Sequence, residues 1–293
     1  MNHKILFVQF LHPGGEHDPK PKKGNHILWN TGDHRRKFLK HPGQYLENNL
    51  IKESDLLFWG EWEAQSDVIK RFNSKDNKYP KYLYQPYYSI HQNQKNLQNT
   101  DPFVFGKQFH YVCCQQNKIS MRTLDRGSVI LFGSCLKKQF VLDTVFVVDC
   151  YRDIKSFAQA KKLVSATYQD VTLSRIFNNS YNQKPKNNCT QAVSYRLYFG
   201  ATYNNPVSGM FSFFPCRPYQ QNIVNGFARP IIQIKDVITD NHTQGIKYEH
   251  PNHPKNIQTN QKLWEEVRKQ VEDANLKLGI YTDLPPHKQF TSQ

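Results

Sequence analysis

Between residues 103 and 151 the chain carries three runs, FVFGKQFHYVCCQ, GSVILFGSC and FVLDTVFVVDCY, separated by Gly, Asp and Lys turns. β-Branched and aromatic side chains at this density suit a pleated surface and crowd a helix, so the middle of the chain must be sheet. ILFVQFL (5–11), DLLFWGEWE (55–63), CTQAVSYRLYFGATY (189–203), GMFSFFPC (209–216) and ARPIIQIKDVI (228–238) read as further strands. Helices are expected over HRRKFLK with Asp33 as cap, over SDVIKRF with Ser66 as cap, and over 156–168 with Ser156 as cap. The last is QKLWEEVRKQVEDANLKLG, where Leu263, Val267, Val271, Ala274 and Leu278 share one stripe and Gly279 provides a stop. Residues 73–101, rich in Tyr, Asn, Gln and Pro, read as an ordered aromatic loop.

No linker or internal repeat divides the chain. The expected fold is therefore one α+β domain (1–293) with a mixed, barrel-like sheet and a C-terminal packing helix over 260–278. Within it, 1–100 and 101–258 are expected as sub-lobes.

The 293 residues hold 39 Lys and Arg against 24 Asp and Glu, a net charge of +15. Such an excess favours a polyanionic partner, though it also serves solubility. Aromatic content of 13% argues against disorder. No apolar run is long enough for a transmembrane helix, and the N-terminal apolar stretch lacks the cleavage site of a signal peptide. Six cysteines without C-x-x-C spacing are expected to be reduced thiols, consistent with a cytoplasmic protein. The expected partner is nucleic acid, DNA in the first instance, with no membrane association and a monomeric or small homo-oligomeric state.

Motifs for phosphate loops, dinucleotide binding, serine hydrolases and zinc hydrolysis are all missing from the sequence. What remains unusual is HPGGEHDPKPKKGNHILWNTGDHRRKF (12–38), set directly after the first strand. Together with His41 it holds five of the twelve His. Loops leaving strand ends are where mixed folds place their sites. Arg35, Arg36 and Lys37, with His34, suit phosphates; Trp29 suits stacking on a base and Asn30 suits hydrogen bonding to it. The alternative is a solvated basic connection with Trp29 in the core. His12, His17 and Glu16 fit no standard ligand spacing, so neither a metal nor another cofactor is expected.

FWGEWE (58–63) is the second unusual run. Two carboxylates and two indoles around one glycine cannot all be core, because a buried unpaired Glu is costly. Alternation puts Trp59, Glu61 and Glu63 on one face: a stacking platform beside a carboxylate, or an edge strand with Glu paired to surface Lys.

DRGSVILFGSC followed by FVLDTVFVVDCY resembles part of a PUA/EVE-type barrel, which implies a fold that holds a modified base turned out of a helix. HPGGEH is similar to the Pro-Gly turn with an acidic residue in uracil-DNA-glycosylase-like enzymes, with Pro13, Gly14 and Glu16 in the matching places. The phenylalanine and second glycine expected downstream are missing. This likeness implies a catalytic role for Glu16 or Asp18. The order strand, HPGGEH, WN, HRRKFL, FWGEWE looks like bacterial nucleotide-modification and phage-defence proteins, among them antiphage DNA glycosylases.

The leading expectation is a DNA glycosylase acting on a flipped-out modified base. One of Glu16, Asp18, Glu61 or Glu63 would be its carboxylate, with His34 assisting. Trp29 or Trp59 would stack on the base, and Arg35, Arg36 and Lys37 would hold the strand. The alternatives are a reader without chemistry, or a nuclease toxin using His12, His17 or His34.

Overall fold

Two six-stranded mixed sheets build the protein. The computed structural model describes residues 4–12, 14–19, 35–89, 100–112, 114, 116, 118–178, 195–221, 225–239, 245–248 and 256–289. Its strands are β1 (Phe7–Leu11), β2 (Lys37–Glu47), β3 (Leu50–Gly60), β4 (Ser66–Arg71), β5 (Tyr82–Pro86) and β6 (His110–Tyr111). They continue with β7 (Val129–Leu136), β8 (Gln139–Ile154), β9 (Tyr195–Gly200), β10 (Phe214–Pro218), β11 (Gly245–Tyr248) and β12 (Lys277–Thr282).

The first sheet runs β11-β1-β7-β8-β9-β6, with β1 and β7 parallel and the other neighbours antiparallel. The second runs β12-β10-β3-β2-β5-β4, and β12 also pairs with β2, so β2, β3, β10 and β12 close a ring. Closure needs a close approach at Gly43, where a Cβ would lie 2.3 Å from the Tyr281 carbonyl oxygen. The sheets are tied together just before β10, where Val145 of β8 exchanges two backbone hydrogen bonds with Phe213 (2.8 and 2.9 Å). The chain is thus a single α+β domain with mixed sheets.

Two hairpins set the register. The β2–β3 turn is Asn48-Asn49, both at positive φ (52° and 61°), a conformation Asn tolerates. The β7–β8 turn has the same geometry but uses Lys137 and Lys138 (48° and 60°), which do not favour it.

The C-terminal helix α4 (Ile257–Asp273) follows a 3-10 turn (Ile119–Arg122), the short α1 (Phe157–Ala160), and α2 (Ala166–Tyr168) and α3 (Ser174–Asn178), which a π-helical segment (Gln169–Leu173) joins. Asn256 caps α4 by accepting from the Thr259 amide at 2.9 Å. Leu263, Trp264, Val267 and Val271 are buried along one stripe. Each contributes about 1.5–3 kcal/mol of burial.

Several sequence expectations need correction. HRRKFLK and SDVIKRF are not helices: Lys37 opens β2 and Ser66 opens β4. In both, pairing with neighbouring strands outweighs local propensity, and Asp33 lies outside the described residues. Helix α4 ends at Asp273, short of 278. Asn275 takes φ 57° there, Ala274 is exposed, and Leu278 and Gly279 belong to β12. Residues 156–168 form two separate short pieces, although Ser156 does cap the first by accepting from the Gln159 amide. Only His110–Tyr111 of the first middle run is a strand. ARPIIQIKDVI makes one isolated bridge, Ile231 to Val141, and then a turn. The 73–101 loop contains strand β5.

Candidate functional site

The two ends of the opening stretch are pinned to each other. The His17 amide donates to the Arg36 carbonyl (2.8 Å) and the Arg36 amide donates to the Gly15 carbonyl (2.9 Å). This parallel bridge starts β2 and leaves Arg36 and Lys37 pointing inward, each 1% exposed.

Arg36 is the centre of a buried ionic knot. Its Nε donates to Asp143 Oδ2 (2.7 Å), its Nη1 to Glu61 Oε2 (2.8 Å) and its Nη2 to His12 Nδ1 (2.7 Å). A guanidinium has only donors, so His12 Nδ1 is the acceptor and that nitrogen carries no proton. Burial opposes the charge on Arg36, but Asp143 and Glu61 outweigh it and raise the guanidinium above its ordinary range. Arg229 takes the other oxygen of Asp143 (3.3 Å) and donates to Ser134 Oγ (3.2 Å) and the Gly14 carbonyl (2.6 Å). Glu61 Oε1 accepts from the Asp101 amide at 3.3 Å. The knot joins β7 and β8 of the first sheet to the residue just before β2 (Arg36) and the residue just after β3 (Glu61) in the second. Such groups are expensive to desolvate, and the mutual pairing offsets that cost.

FWGEWE therefore meets the opening stretch, but as interior rather than as an open wall. Glu61 is 5% exposed and Glu63 is fully buried, with its amide donating to Thr100 Oγ1 (3.0 Å). Trp59 is buried; its Nε1 donates to the Phe227 carbonyl (2.8 Å) and the Arg229 guanidinium lies 5.1 Å over its ring. Trp62 is fully enclosed and donates to the Gln65 carbonyl. Lys37 Nζ donates to the Ala64 carbonyl (2.8 Å), and burial, opposed by Glu63, holds its amine down to about 7.

The turn 14–18 presents a different environment at the surface. Glu16 is half-buried, and both its carboxylate oxygens accept from backbone amides: Oε1 from Lys81 and Tyr82, Oε2 from Lys81, all at 2.9–3.0 Å. Burial nevertheless wins over these bonds and pushes its carboxyl up to about 7. His17 is held down to about 3 by burial and by Lys37 and Arg35, so it is a neutral imidazole. Tyr84 donates to the His17 carbonyl (2.7 Å), while Asp18 is exposed and accepts from Tyr82 Oη at 3.5 Å. Arg35 is exposed, with Nη1 3.4 Å from the Glu16 carbonyl oxygen.

The structure thus brings Glu16, Asp18 and Arg35 together at the surface and gathers Arg36, Lys37, Trp59, Glu61 and Glu63 inside. Trp29, Asn30 and His34 lie outside the described residues. Asp143, Arg229 and Ser134 escaped the sequence reading. The available signal was Asp143 itself, an acid inside the apolar run FVLDTVFVV, which requires a buried cation. Among the described residues no group of three or more His, Cys, Asp or Glu could hold a metal ion, and no helix is long and apolar enough to cross a membrane.

Fold and site define an α+β protein in which a buried ionic knot locks two mixed sheets beneath a surface turn carrying a protonatable carboxyl. No protein-family model, curated protein or solved structure matches the chain.

Proposed function

We propose that this protein acts on nucleic acid and cleaves the N-glycosidic bond of a base turned out of the strand, with Glu16 as its acid–base group. The observation that carries this reading is the Glu16 turn. There a half-buried carboxyl, pushed up to about 7, sits at the surface beside Arg35 in a chain of net charge +15.

Glycosidic hydrolysis breaks the C1′–N bond, forms a C1′–O bond to water and delivers a proton to the departing base. A carboxyl near neutrality can serve either proton transfer, protonating the base or accepting the proton of the attacking water. The Lys81 and Tyr82 amides hold the carboxylate in place as it ionises. Arg35 suits a flanking phosphate. Glu61 and Glu63 serve the knot and the interior beneath.

A reader without chemistry is the second reading. It is favoured by one fact: backbone amides already engage both Glu16 oxygens, as they do in structural carboxylates. The two readings separate on one substitution. With modified and unmodified DNA as substrates, a glycosylase releases free base detectable by mass spectrometry and Glu16→Gln abolishes that release while binding persists. A reader binds and releases none, and a nuclease leaves cut backbone instead of an abasic site.

A further inference from the structure

A cavity of about 260 Å³ lies between the β7–β8 hairpin, the loop after β4 and the segment around Arg229. It adjoins the Glu16 turn through Gly14. The Gly14 carbonyl accepts from Arg229, and a Cβ on Gly14 would come 2.5 Å from Leu136 Cδ2; both Arg229 and Leu136 line the cavity.

Its walls are apolar and fixed. Leu136 and Val141 come from the paired strands β7 and β8, facing Ile231. The Ile231 segment is laid along β8 by hydrogen bonds from the Leu142 amide to the Pro230 carbonyl (2.9 Å) and from the Ile232 amide to the Phe140 carbonyl (3.0 Å). Among the described residues, charge in the lining is of one sign. Arg229, 5% exposed by its side chain, is held in place by Ser134 and Asp143, while Lys78 and Lys137 are exposed. Among the described residues no acidic residue lines it. Asp76 lies 3.8 Å from Lys137 Nζ in solvent, a contact worth little. Two amide side chains, Asn77 and Gln139, also line it and can read the edge of a ring.

Lys137 supplies an independent observation. It occupies a left-handed turn position (φ 48°), followed by Lys138 (φ 60°), where the equivalent β2–β3 turn uses two Asn. A side chain other than Gly or Asn costs roughly 1–2 kcal/mol in that conformation. Backbone strain of this kind concentrates where a side chain serves a ligand.

We propose that this cavity binds a single nucleobase together with its phosphate. Apolar walls take the ring faces, the amides its edge and the lysines the phosphate. The volume lies just below the roughly 300–1,000 Å³ typical of small-molecule sites, which admits one nucleotide-sized group and no stacked pair. Linking this pocket to base removal rests on the reading of Glu16 above; nucleotide binding by the cavity does not. The base can come from a free mononucleotide or from a polynucleotide strand.

The test is a titration of the full chain with AMP, CMP, adenosine, inorganic phosphate and a single strand containing 2-aminopurine. The double variant Lys78→Ala/Lys137→Asn removes both rim cations and relaxes the turn. It should keep or raise Tm while weakening AMP or CMP binding at least tenfold. A 2-aminopurine strand that brightens on binding and competes with AMP identifies the base of a polymer as occupant. AMP binding without that competition identifies the free nucleotide, and either result supports the cavity. Absence of binding by both the mononucleotides and the strand overturns it. So does unchanged affinity in the double variant, or phosphate binding as tightly as AMP. Base release on the same proteins separates the two proposals. Nucleotide binding without base release leaves the cavity standing and removes the glycosidic reading. Base release without nucleotide binding does the reverse.

Discussion

Arg36 Nη1 lies 2.8 Å from Glu61 Oε2, so the last basic cluster of the opening stretch and the FWGEWE run are joined by a buried ion pair. The pair fixes where β2 begins and ties the end of β3 to it. Through Asp143 on the other side of the guanidinium, it reaches the first sheet as well.

Removing the guanidinium should therefore damage stability more than binding. Arg36→Met leaves Asp143 and Glu61 buried with a lost partner and should cost about 3–5 kcal/mol. Replacing Glu61 with Gln in the same chain should recover part of that loss, because one uncompensated charge goes with it. Urea unfolding of the two single variants and the double variant gives the coupling. Strictly additive losses would show that the pair does not act as a unit.

The pH dependence of stability follows from Glu16. Its carboxyl moves from the ordinary 4.5 to about 7 on folding, so between those values the folded chain holds a proton that the unfolded chain has released. The contribution is fully present below pH 4.5 and is lost as pH rises to 7. Glu16→Gln removes it. The stability of the parent minus that of the variant should fall by ~1–3 kcal/mol from pH 4.5 to 7. Lys37 acts in another window with the opposite slope: its amine drops from 10.5 to about 7, so stability is lost as pH falls through that range. A difference curve that is flat between pH 4.5 and 7 would contradict the placement of Glu16.

Nucleic-acid affinity should fall steeply with salt, since each neutralised phosphate releases counterions. Arg35→Ala should flatten the slope of log K against log salt by about one unit. Arg35 is the appropriate target because it is exposed, whereas Arg36 and Lys37 are 1% exposed and serve the interior. An unchanged slope in Arg35→Ala would remove the opening stretch from the phosphate contacts.

The sheet content was legible in the sequence because runs such as VILFG and FVLDTVFVV carry their own pattern, and β7 and β8 fall where it places them. The α4 stripe at Leu263, Val267 and Val271 was legible for the same reason. HRRKFLK and SDVIKRF were not, because their short local patterns fit a helix and only their partners across the sheet make them strands. FWGEWE announced that its carboxylates need partners, but not that they would be buried. A carboxylate that must be paired can be satisfied by a buried Arg as well as by a ligand, and Arg36 is that partner. The cavity was invisible because Leu136, Val141 and Ile231 read as ordinary strand residues until the turn between β7 and β8 and the Arg229 segment bring them together.

Base release from DNA is the most direct measurement of the central claim. The protein, incubated near pH 7 with DNA containing modified bases, should liberate free base and leave abasic sites that break on alkaline treatment. Glu16→Gln should lower that release at least a hundredfold, within the range of general acid–base contributions of about 10²–10⁴, while retaining DNA affinity. Undiminished release by Glu16→Gln, or tight binding by the parent protein with no base released from any modified DNA, would contradict the account.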